Sequence, residues 1–218
     1  MTPIDESYKL TKLIKQGKEI PNTDFAILAT WIDKIYHVKT LNIIYDKIDL
    51  EKRPRLQIIL ENSETFFKNN FAYEDEVKVR VLNQFKELLL INDLSRKYKT
   101  DKIFAFFSDF EEAAKTEVRW NIPLNTIEEF QATLNIKEVW RVYPETFYSI
   151  TVFLYKNEQV ENFLKNGMKE YLNKKCFELL KKYDEFDYYQ KGQFSILLES
   201  KDNFDQIYNS NWFNYDRR

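Results

Sequence analysis

The sequence has few of the residues on which most catalytic and ligand-binding motifs depend. Its 218 residues include three glycines, five prolines, one histidine and one cysteine. The shortage of glycine disfavours folds that hold a nucleotide in a glycine-rich loop, because those loops need residues without a Cβ atom. A zinc or iron site made of His and Cys would need more ligands of those types. We therefore expect no cofactor.

The single histidine and cysteine offer little for nucleophilic catalysis, which most often places Ser or Cys beside His. His37 ends a predicted helix, where an imidazolium would be favoured by the carbonyl end of the helix dipole. Cys176 follows Lys175 on another predicted helix. Neighbouring lysines can lower the pKa of a thiol, but a buried, inert thiol is the commoner case. The sequence predicts a protein that is not an enzyme.

A surplus of one charge and long apolar runs are also missing. Lys and Arg number 33 against 35 Asp and Glu, so nothing attracts the chain generally to nucleic acid or to anionic lipid. No apolar run approaches the roughly 20 residues that span a bilayer, and the first ten residues do not resemble a secretion signal. A lone cysteine cannot form an internal disulfide. We expect a soluble cytoplasmic protein without membrane or nucleic-acid partners.

Aromatic residues, in contrast, are abundant. The chain contains 18 Phe, 14 Tyr and 4 Trp, and 44% of its residues are hydrophobic. This composition predicts a packed core rather than a disordered chain. The length allows one large domain or two small ones.

The hydrophobic periodicity of the first half predicts the element order α-β-β-α-β-α. The two strands in the middle are joined by a charged loop and read as an antiparallel pair. The predicted elements are helices at 5–16 and 23–36, the second capped by Thr23, strands at 41–46 and 55–61, a long helix at 74–94, a strand at 103–107 and a helix ending at Trp120.

The second half predicts the same order again. A helix starts after Pro123, a tight hairpin follows, and a long helical stretch is interrupted by Gly167. The predicted elements are a helix around 125–134, strands at 137–143 and 147–155, a helical stretch at 158–183, a strand at 194–199 and a terminal helix.

Two short matches support a repeat besides the element order. The sequence FFKNN at 66–70 resembles FLKNG at 163–167, and Trp120 follows Ser108 by the same twelve residues as Trp212 follows Ser200. We predict an α/β fold of the α+β type with two tandem α-β-β-α-β-α units, residues 1–121 and 122–218, each with helices packed on an antiparallel or mixed sheet. One continuous mixed domain is the alternative.

The second half, taken together with the strand predicted at 103–107, has the order β-α-β-β-α-β. This is the element order of a ferredoxin-like sandwich. Such a match concerns topology and implies no function.

Charged clusters provide the candidates for metal and phosphate binding. Asp109, Glu111 and Glu112 open a predicted helix, where carboxylates commonly cap the helix N-terminus. Together with Asp184, Glu185 and Asp187 they also allow an alternative function, a Mg²⁺-dependent carboxylate-based hydrolase or phosphate-processing enzyme. A basic run of Lys52, Arg53 and Arg55 in a predicted loop suits a phosphate, an acidic partner or a solvated turn, and nucleic-acid binding through these residues is a further alternative function.

Aromatic residues beside charged ones provide the candidate partner-binding residues. Large aromatics near a chain end either pack back on the body or remain exposed as interface anchors. Acidic residues beside exposed aromatics would suit a basic protein partner. The predicted partner-binding residues are Asp184, Glu185, Asp187, Tyr188, Tyr189, Trp212, Phe213 and Tyr215.

These observations favour a non-enzymatic protein-protein interaction module with a protein partner. An immunity-type inhibitor, which neutralises a toxic partner protein, is one kind of interaction module that fits an acidic chain of this size with few motifs. The sequence leaves the identity of the partner and a homo-oligomeric state open.

Overall fold

The computed structural model of the protein describes residues 1–48, 51–63, 66, 74–144 and 149–217. The chain divides into two compact units, Met1–Ala113 and Ala114–Arg218. The described residues contain nine α-helices and two three-stranded mixed sheets, one sheet in each unit. The predicted mixed α/β class is confirmed, whereas the predicted domain division at residues 121 and 122 stays a prediction.

The sheet of the first unit has the strand order β1-β2-β3, with β1 and β2 antiparallel and β2 and β3 parallel. The hairpin predicted from the two alternating runs is therefore confirmed. The elements are α1 (Glu6–Lys15), a 3₁₀ turn (Thr23–Phe25), α2 (Ala26–Tyr36), β1 (Thr40–Ile48), β2 (Arg53–Leu60), α3 (Glu74–Ile91), β3 (Phe104–Asp109) and the first residues of α4 (Phe110–Trp120).

The sheet of the second unit has the order β4-β5-β6, again with one antiparallel and one parallel pair. Its elements after α4 are α5 (Leu124–Leu134), β4 (Val139–Tyr143), β5 (Thr151–Leu154), α6 (Asn157–Lys165), α7 (Met168–Leu180), β6 (Leu197–Ser200), α8 (Lys201–Tyr208) and α9 (Trp212–Asp216). The helical stretch predicted at 158–183 is two helices, because Gly167 adopts a left-handed conformation with φ of 81° between them.

The core of the first unit forms where the middle strand is covered by α2 and α3. Leu56, Ile58 and Leu60 are fully buried on this face of β2. The opposite face of the same strand carries polar side chains that pair with neighbours: Gln57 Nε2 donates to Ser108 Oγ at 2.9 Å. Ile59 on that face is also fully buried, so the apolar end of β2 is covered on both faces.

The middle strand of the second unit separates two apolar clusters. Val152 and Leu154 pack into a core formed with α5, α6 and α7. Phe153 points to the other face, where it packs against Phe204 of α8 and Tyr215 of α9. All three β5 residues are fully buried, because successive side chains of a strand face opposite sides of a sheet that is covered on both.

The first strand of each sheet has an irregularity at the same place. In β1 the pairing register shifts between Thr40 and Asn42, and in β4 it shifts between Val139 and Arg141. Such bulges insert one extra residue and bend the strand locally.

The ends of the parallel strands are also bonded alike in both units. Glu111 donates its backbone N–H to the carbonyl of Glu61 at 3.0 Å, and Asp202 donates to the carbonyl of Tyr155 at 3.3 Å. In the final strand pairs, Leu60 lies opposite Asp109 and Leu154 lies opposite Ser200. Asp109 and Ser200 therefore occupy matching sheet positions.

Asp109 and Ser200 also form matching caps. Each accepts a hydrogen bond from the backbone N–H three residues later, in Glu112 and Asn203 respectively. Each is bonded to the residue three positions beyond the end of the middle strand: Ser63 donates to Asp109, and Ser200 donates to Asn157. The two helices α4 and α8 thus begin in the same way.

The match predicted from the serine-to-tryptophan spacing is wrong. Ser108 lies inside β3 and its side chain is buried, whereas Ser200 ends β6 and caps α8. Trp120 ends α4, whereas Trp212 begins α9. The spacing is equal although the four residues occupy different structural positions.

Three further predictions have different outcomes. Thr23 does not cap α2 but begins the 3₁₀ turn, and its neighbour Asn22 accepts the hydrogen bond from Asp24 N. The ferredoxin-like order is not confirmed, since β3 pairs with β2 in the first sheet. Apart from Phe66, the FFKNN segment lies outside the described residues.

Candidate functional site

Asp184, one of the three acidic residues predicted to bind a partner, is a buried side chain that organises its own loop. Its carboxylate is 1% exposed and accepts hydrogen bonds from the backbone N–H groups of Tyr188 at 3.0 Å and Tyr189 at 2.9 Å. Lys181 Nζ donates to the same carboxylate at 2.8 Å. The donors of Asp184 therefore come from its own loop and the preceding helix end.

Lys181 also pairs with Asp187, whose side chain is exposed. Burial opposes the positive charge, but the hydrogen bonds to Asp184 and Asp187 outweigh this and raise the pKa of Lys181. The hydrogen bond from Lys181 lowers the pKa of Asp187. Glu185 is exposed on the same loop. One cation thus offsets part of the negative charge that the sequence places here.

The two adjacent tyrosines of this loop have different surroundings. Tyr189 is 6% exposed, and its hydroxyl accepts a hydrogen bond from Arg119 Nη1 at 2.7 Å and donates to the carbonyl of Lys115 at 3.1 Å. Tyr188 is half-buried, with its ring 5.8 Å from that of Phe186. Tyr189 is therefore part of the interior and not an exposed anchor.

The aromatic residues near the C-terminus also separate into buried and exposed ones. Tyr215 is fully buried, and Trp212 is partly buried with its ring 4.4 Å from Tyr143 and 4.3 Å from Phe204. Phe213 is 59% exposed. The tail thus packs back on the sheet, and Phe213 is its exposed aromatic side chain.

The acidic loop and the tail do not form one surface. Tyr189 belongs to the cluster of Val152 and Leu154, whereas Tyr215 belongs to the cluster of Phe153. These clusters lie on opposite faces of the second sheet, because neighbouring β5 residues point to opposite sides. The structure does not bring the eight predicted partner-binding residues together.

The carboxylates named for the alternative function have structural partners. Asp109 caps α4, and Glu111 accepts a hydrogen bond from Asn62 at 2.7 Å. Among the described residues, no three His, Cys, Asp or Glu side chains are grouped so that they could hold a metal ion. The Mg²⁺-dependent activity stays a prediction.

The basic run does not lie in one loop as predicted. Arg53 and Arg55 belong to β2, and the guanidinium of Arg55 donates two hydrogen bonds to the carboxylate of Asp46. Lys52 adopts a left-handed conformation in the preceding turn, with φ of 54°. Arg55 therefore already has a carboxylate partner.

The single histidine lies at a helix end, and the single cysteine lies in a core. His37 ends α2 in a left-handed conformation with φ of 53°. Cys176 is fully buried in the core of the second unit, and burial raises the pKa of its thiol to about 12. A thiol with this pKa is almost entirely protonated at neutral pH and is a poor nucleophile.

The second unit contains a cavity of about 740 Å³ along the free side of β4. This volume is in the range of binding sites for small ligands and side chains. We call this cavity the β4 groove. Its principal lining residues come from α4, α5 and β4: Trp120, Leu124, Glu128, Gln131, Trp140 and Arg141.

The positively charged residue that lines the β4 groove is Arg141, which is half-buried. The central carbon of its guanidinium lies 4.8 Å from the ring centroid of Trp212 and 5.8 Å from that of Tyr143. Stacking on aromatic faces stabilises a guanidinium by about 0.5–2 kcal/mol and limits its motion. Over the described residues, Arg141 has ring contacts but neither an ion pair nor a side-chain hydrogen bond.

Gln131 of α5 covers part of the free backbone edge of β4. Its Nε2 donates to the carbonyl of Trp140 at 3.0 Å, and its Oε1 accepts from the N–H of Val142 at 3.1 Å. The residue after β4 is Pro144, which has no N–H. A side-chain amide and a proline are two of the means by which edge strands avoid pairing with other chains.

Sequence reasoning missed the residues of the β4 groove. From the sequence, Trp120 marks only the repeat, and Trp140 and Arg141 belong to the strand predicted at 137–143. The available signal was an arginine beside aromatic residues in VWRVY. That pattern does not predict the register shift between Val139 and Arg141, which leaves Arg141 opposite Phe153.

No helix of the described residues is long and apolar enough to cross a membrane. No protein-family model, no curated protein and no solved structure matches this chain significantly.

Proposed function

We propose that this protein is a non-enzymatic protein-interaction module. The observation that carries the proposal is the β4 groove, where Trp120 is 42% exposed and Leu124 is 66% exposed beside the guanidinium of Arg141. Tryptophan and arginine are enriched among the residues that dominate protein interfaces. Large exposed apolar side chains around a groove lose their contact with water when a partner covers them.

Within this class, we propose an immunity-type inhibitor that binds and neutralises a toxic partner protein. Such an inhibitor acts by occupying a surface of its target and needs no catalytic groups of its own. A groove with hydrophobic, aromatic and charged residues is suited to this task, since these residues combine affinity with orientation.

We also infer that the two units are copies of one ancestral unit. The inference is supported by the shared strand order and by the bulges at Thr40 and Val139. The matching caps at Asp109 and Ser200 support it independently, because helix capping does not follow from strand order.

The function is tested by capture and neutralisation. The tagged full-length protein is incubated with lysate of its native cells at near-physiological salt, and retained proteins are identified by mass spectrometry. We expect a partner that arrests growth when it is expressed alone and that loses this effect when the present protein is co-expressed. Retention of no protein, or of a partner whose activity is unchanged by binding, would contradict the proposal.

A further inference from the structure

We infer that the partner segment bound in the β4 groove carries a carboxylate that pairs with Arg141, next to a large apolar side chain that contacts Trp120 and Leu124. This inference rests on the proposed function and specifies the chemistry of the partner at the same site. It is the opposite of the basic partner that the acidic sequence clusters suggested.

The first argument is the unmatched charge of Arg141. In the first unit, Arg55 also lies over an aromatic ring, that of Phe106 at 5.1 Å, but its guanidinium is paired with Asp46. Within the described part of the chain, Arg141 has the stacking contact without a carboxylate. A guanidinium presents its N–H donors in a planar fork that fits a carboxylate. A carboxylate of the partner would therefore bind Arg141 as the carboxylate of Asp46 binds Arg55.

The second argument is the environment of that charge. Arg141 is half-buried and held against Trp212 and Tyr143, so little side-chain entropy remains to be lost on binding. Partial burial also strengthens an ion pair relative to one in open water. A carboxylate bound at Arg141 therefore contributes more than an exposed surface pair would.

The third argument concerns Glu128, the acidic residue that lines the same groove. Its side chain is exposed on α5, and no ion pair within 4.0 Å connects it with Arg141. Glu128 therefore leaves the guanidinium accessible but repels an incoming carboxylate. Removing the charge of Glu128 should strengthen binding of the carboxylate, whereas removing the charge of Arg141 should weaken it. These two opposite changes in affinity test the inference.

The fourth argument comes from the apolar side of the groove. Trp120 ends α4 and Leu124 begins α5, and both remain exposed although they are large and apolar. Gln131 already occupies the backbone of Trp140 and Val142 at the strand edge. The partner segment consequently binds through its side chains and does not add a strand to the sheet.

The acidic loop predicted from the sequence does not favour a basic partner that binds outside the β4 groove. Asp184 is buried and Asp187 is paired with Lys181. The groove, in contrast, contains Arg141, which forms no ion pair with any described residue, beside the exposed side chains of Trp120 and Leu124. Charge complementarity thus points to an acidic, hydrophobic segment.

The inference is tested with a phage-displayed library of random dodecapeptides selected on the full-length protein. We expect the enriched peptides to contain Asp or Glu within a few residues of Trp, Phe or Leu. One enriched peptide is synthesised with a fluorophore, together with a twin in which each Asp or Glu is replaced by Asn or Gln. By fluorescence anisotropy, the twin should bind about tenfold more weakly or worse, because it lacks the charge-assisted hydrogen bonds.

Matched variants locate the contact. Arg141→Gln should weaken binding of the acidic peptide about tenfold or more, and Glu128→Gln should strengthen it. In ¹H–¹⁵N spectra, the indole signals of Trp120 and Trp140 should shift on peptide addition. The indole signal of Trp31, which lies in α2 of the first unit, should not shift. Thermal unfolding checks that the variants fold. If Arg141→Gln does not fold, Arg141→Lys replaces it, and binding of the acidic peptide is compared with binding of the neutral twin.

Several outcomes would overturn the inference. These are enrichment of Lys- and Arg-rich peptides, enrichment of no peptide, equal binding of the neutral twin, and a concentration-dependent dimer of this chain that Arg141→Gln dissolves. If the cellular partner were still captured by Arg141→Gln with undiminished affinity, the inference would fail while the proposed function stood. If no cellular partner existed, the proposed function itself would fail.

Discussion

Neighbouring residues of the same chemical type have different roles in this protein, depending on which side of an element they lie. Trp212 and Phe213 are adjacent aromatics, yet the first packs on the sheet and the second is exposed. Asp184 and Glu185 are adjacent carboxylates, yet the first is buried and the second is exposed. In each pair, substitution of the packed residue is therefore the test, and substitution of its exposed neighbour is the control.

We expect Trp212→Ala to lower the free energy of unfolding by about 2–4 kcal/mol, because it removes the ring that contacts Tyr143, Phe204 and Arg141. Phe213→Ala should change it by no more than about 0.5 kcal/mol, since that ring is mostly exposed. Urea titration followed by circular dichroism measures both. Equal losses in the two variants would show that the tail is not packed as described.

Asp184→Ala should destabilise the protein by about 2–3 kcal/mol, because the N–H groups of Tyr188 and Tyr189 and the ammonium of Lys181 lose their acceptor. The control, Glu185→Ala, should stay within about 0.5 kcal/mol. Thermal denaturation at neutral pH compares the two. A neutral effect of Asp184→Ala would contradict its role in closing the loop.

The ion pair of Lys181 with Asp187 predicts a pH dependence with a definite sign. The lowered pKa of Asp187 means that its contribution is present above its ordinary value of 3.8 and is lost as pH falls through the folded value. The raised pKa of Lys181 means that its contribution is present below 10.5 and is lost as pH rises through the folded value.

The stability difference between wild type and Lys181→Met should therefore be constant from about pH 5 to pH 10 and shrink on both sides. Chemical denaturation at a series of pH values measures it. A difference that grew toward low pH would rule out the pairing.

Among the secondary-structure elements, β4 is both a sheet edge and a wall of the groove. It is an edge strand of the second sheet, and it contributes Trp140 and Arg141 to the groove. An unprotected edge strand is a site of aggregation. In this protein Gln131 of α5 covers part of the β4 edge with two hydrogen bonds to its backbone.

We expect Gln131→Leu to leave the N–H of Val142 and the carbonyl of Trp140 without their side-chain partner and to cost about 1–2 kcal/mol. Amide hydrogen exchange at Val142 should become faster, and the protein should aggregate more readily at high concentration. Glu129→Leu, an exposed change on the same helix, is the control for added hydrophobicity. Unchanged exchange at Val142 would contradict the edge protection.

At the scale of the whole molecule, each unit has a core formed by its own described residues. The cluster around Leu60 and the cluster around Leu154 have no residue in common. These two leucines are also the last residues of the middle strands and are fully buried. Truncating either one therefore tests the same position in each unit.

Leu60→Ala and Leu154→Ala should each lower the free energy of unfolding of their own unit by about 2–5 kcal/mol, through lost burial and the cavity left behind. Hydrogen exchange measured by mass spectrometry should show loss of protection mainly in the unit that carries the change. Loss spread evenly over both units in both variants would mean that the chain unfolds as one cooperative body.

The predictability of this structure differs between its elements and its site. Helix α3 and the strands β1 and β2 were predicted close to their observed positions, because their apolar residues follow the period of a helix or of a strand. The groove was not predicted. Trp120 and Arg141 are separated by twenty residues in sequence, and only the packing of α5 beside β4 makes them neighbours.

The amino-acid sequence by itself determined the mixed α/β class, the hairpins and the scarcity of His and Cys, since these depend on composition and local periodicity. The tertiary structure alone decided which aromatic and charged side chains are buried. It placed Tyr189 and Tyr215 inside and paired Asp184 with Lys181, and among the residues that the structure describes it gave Arg141 no carboxylate partner. The physical reason is that burial and charge pairing depend on which elements meet, and local sequence does not contain that information.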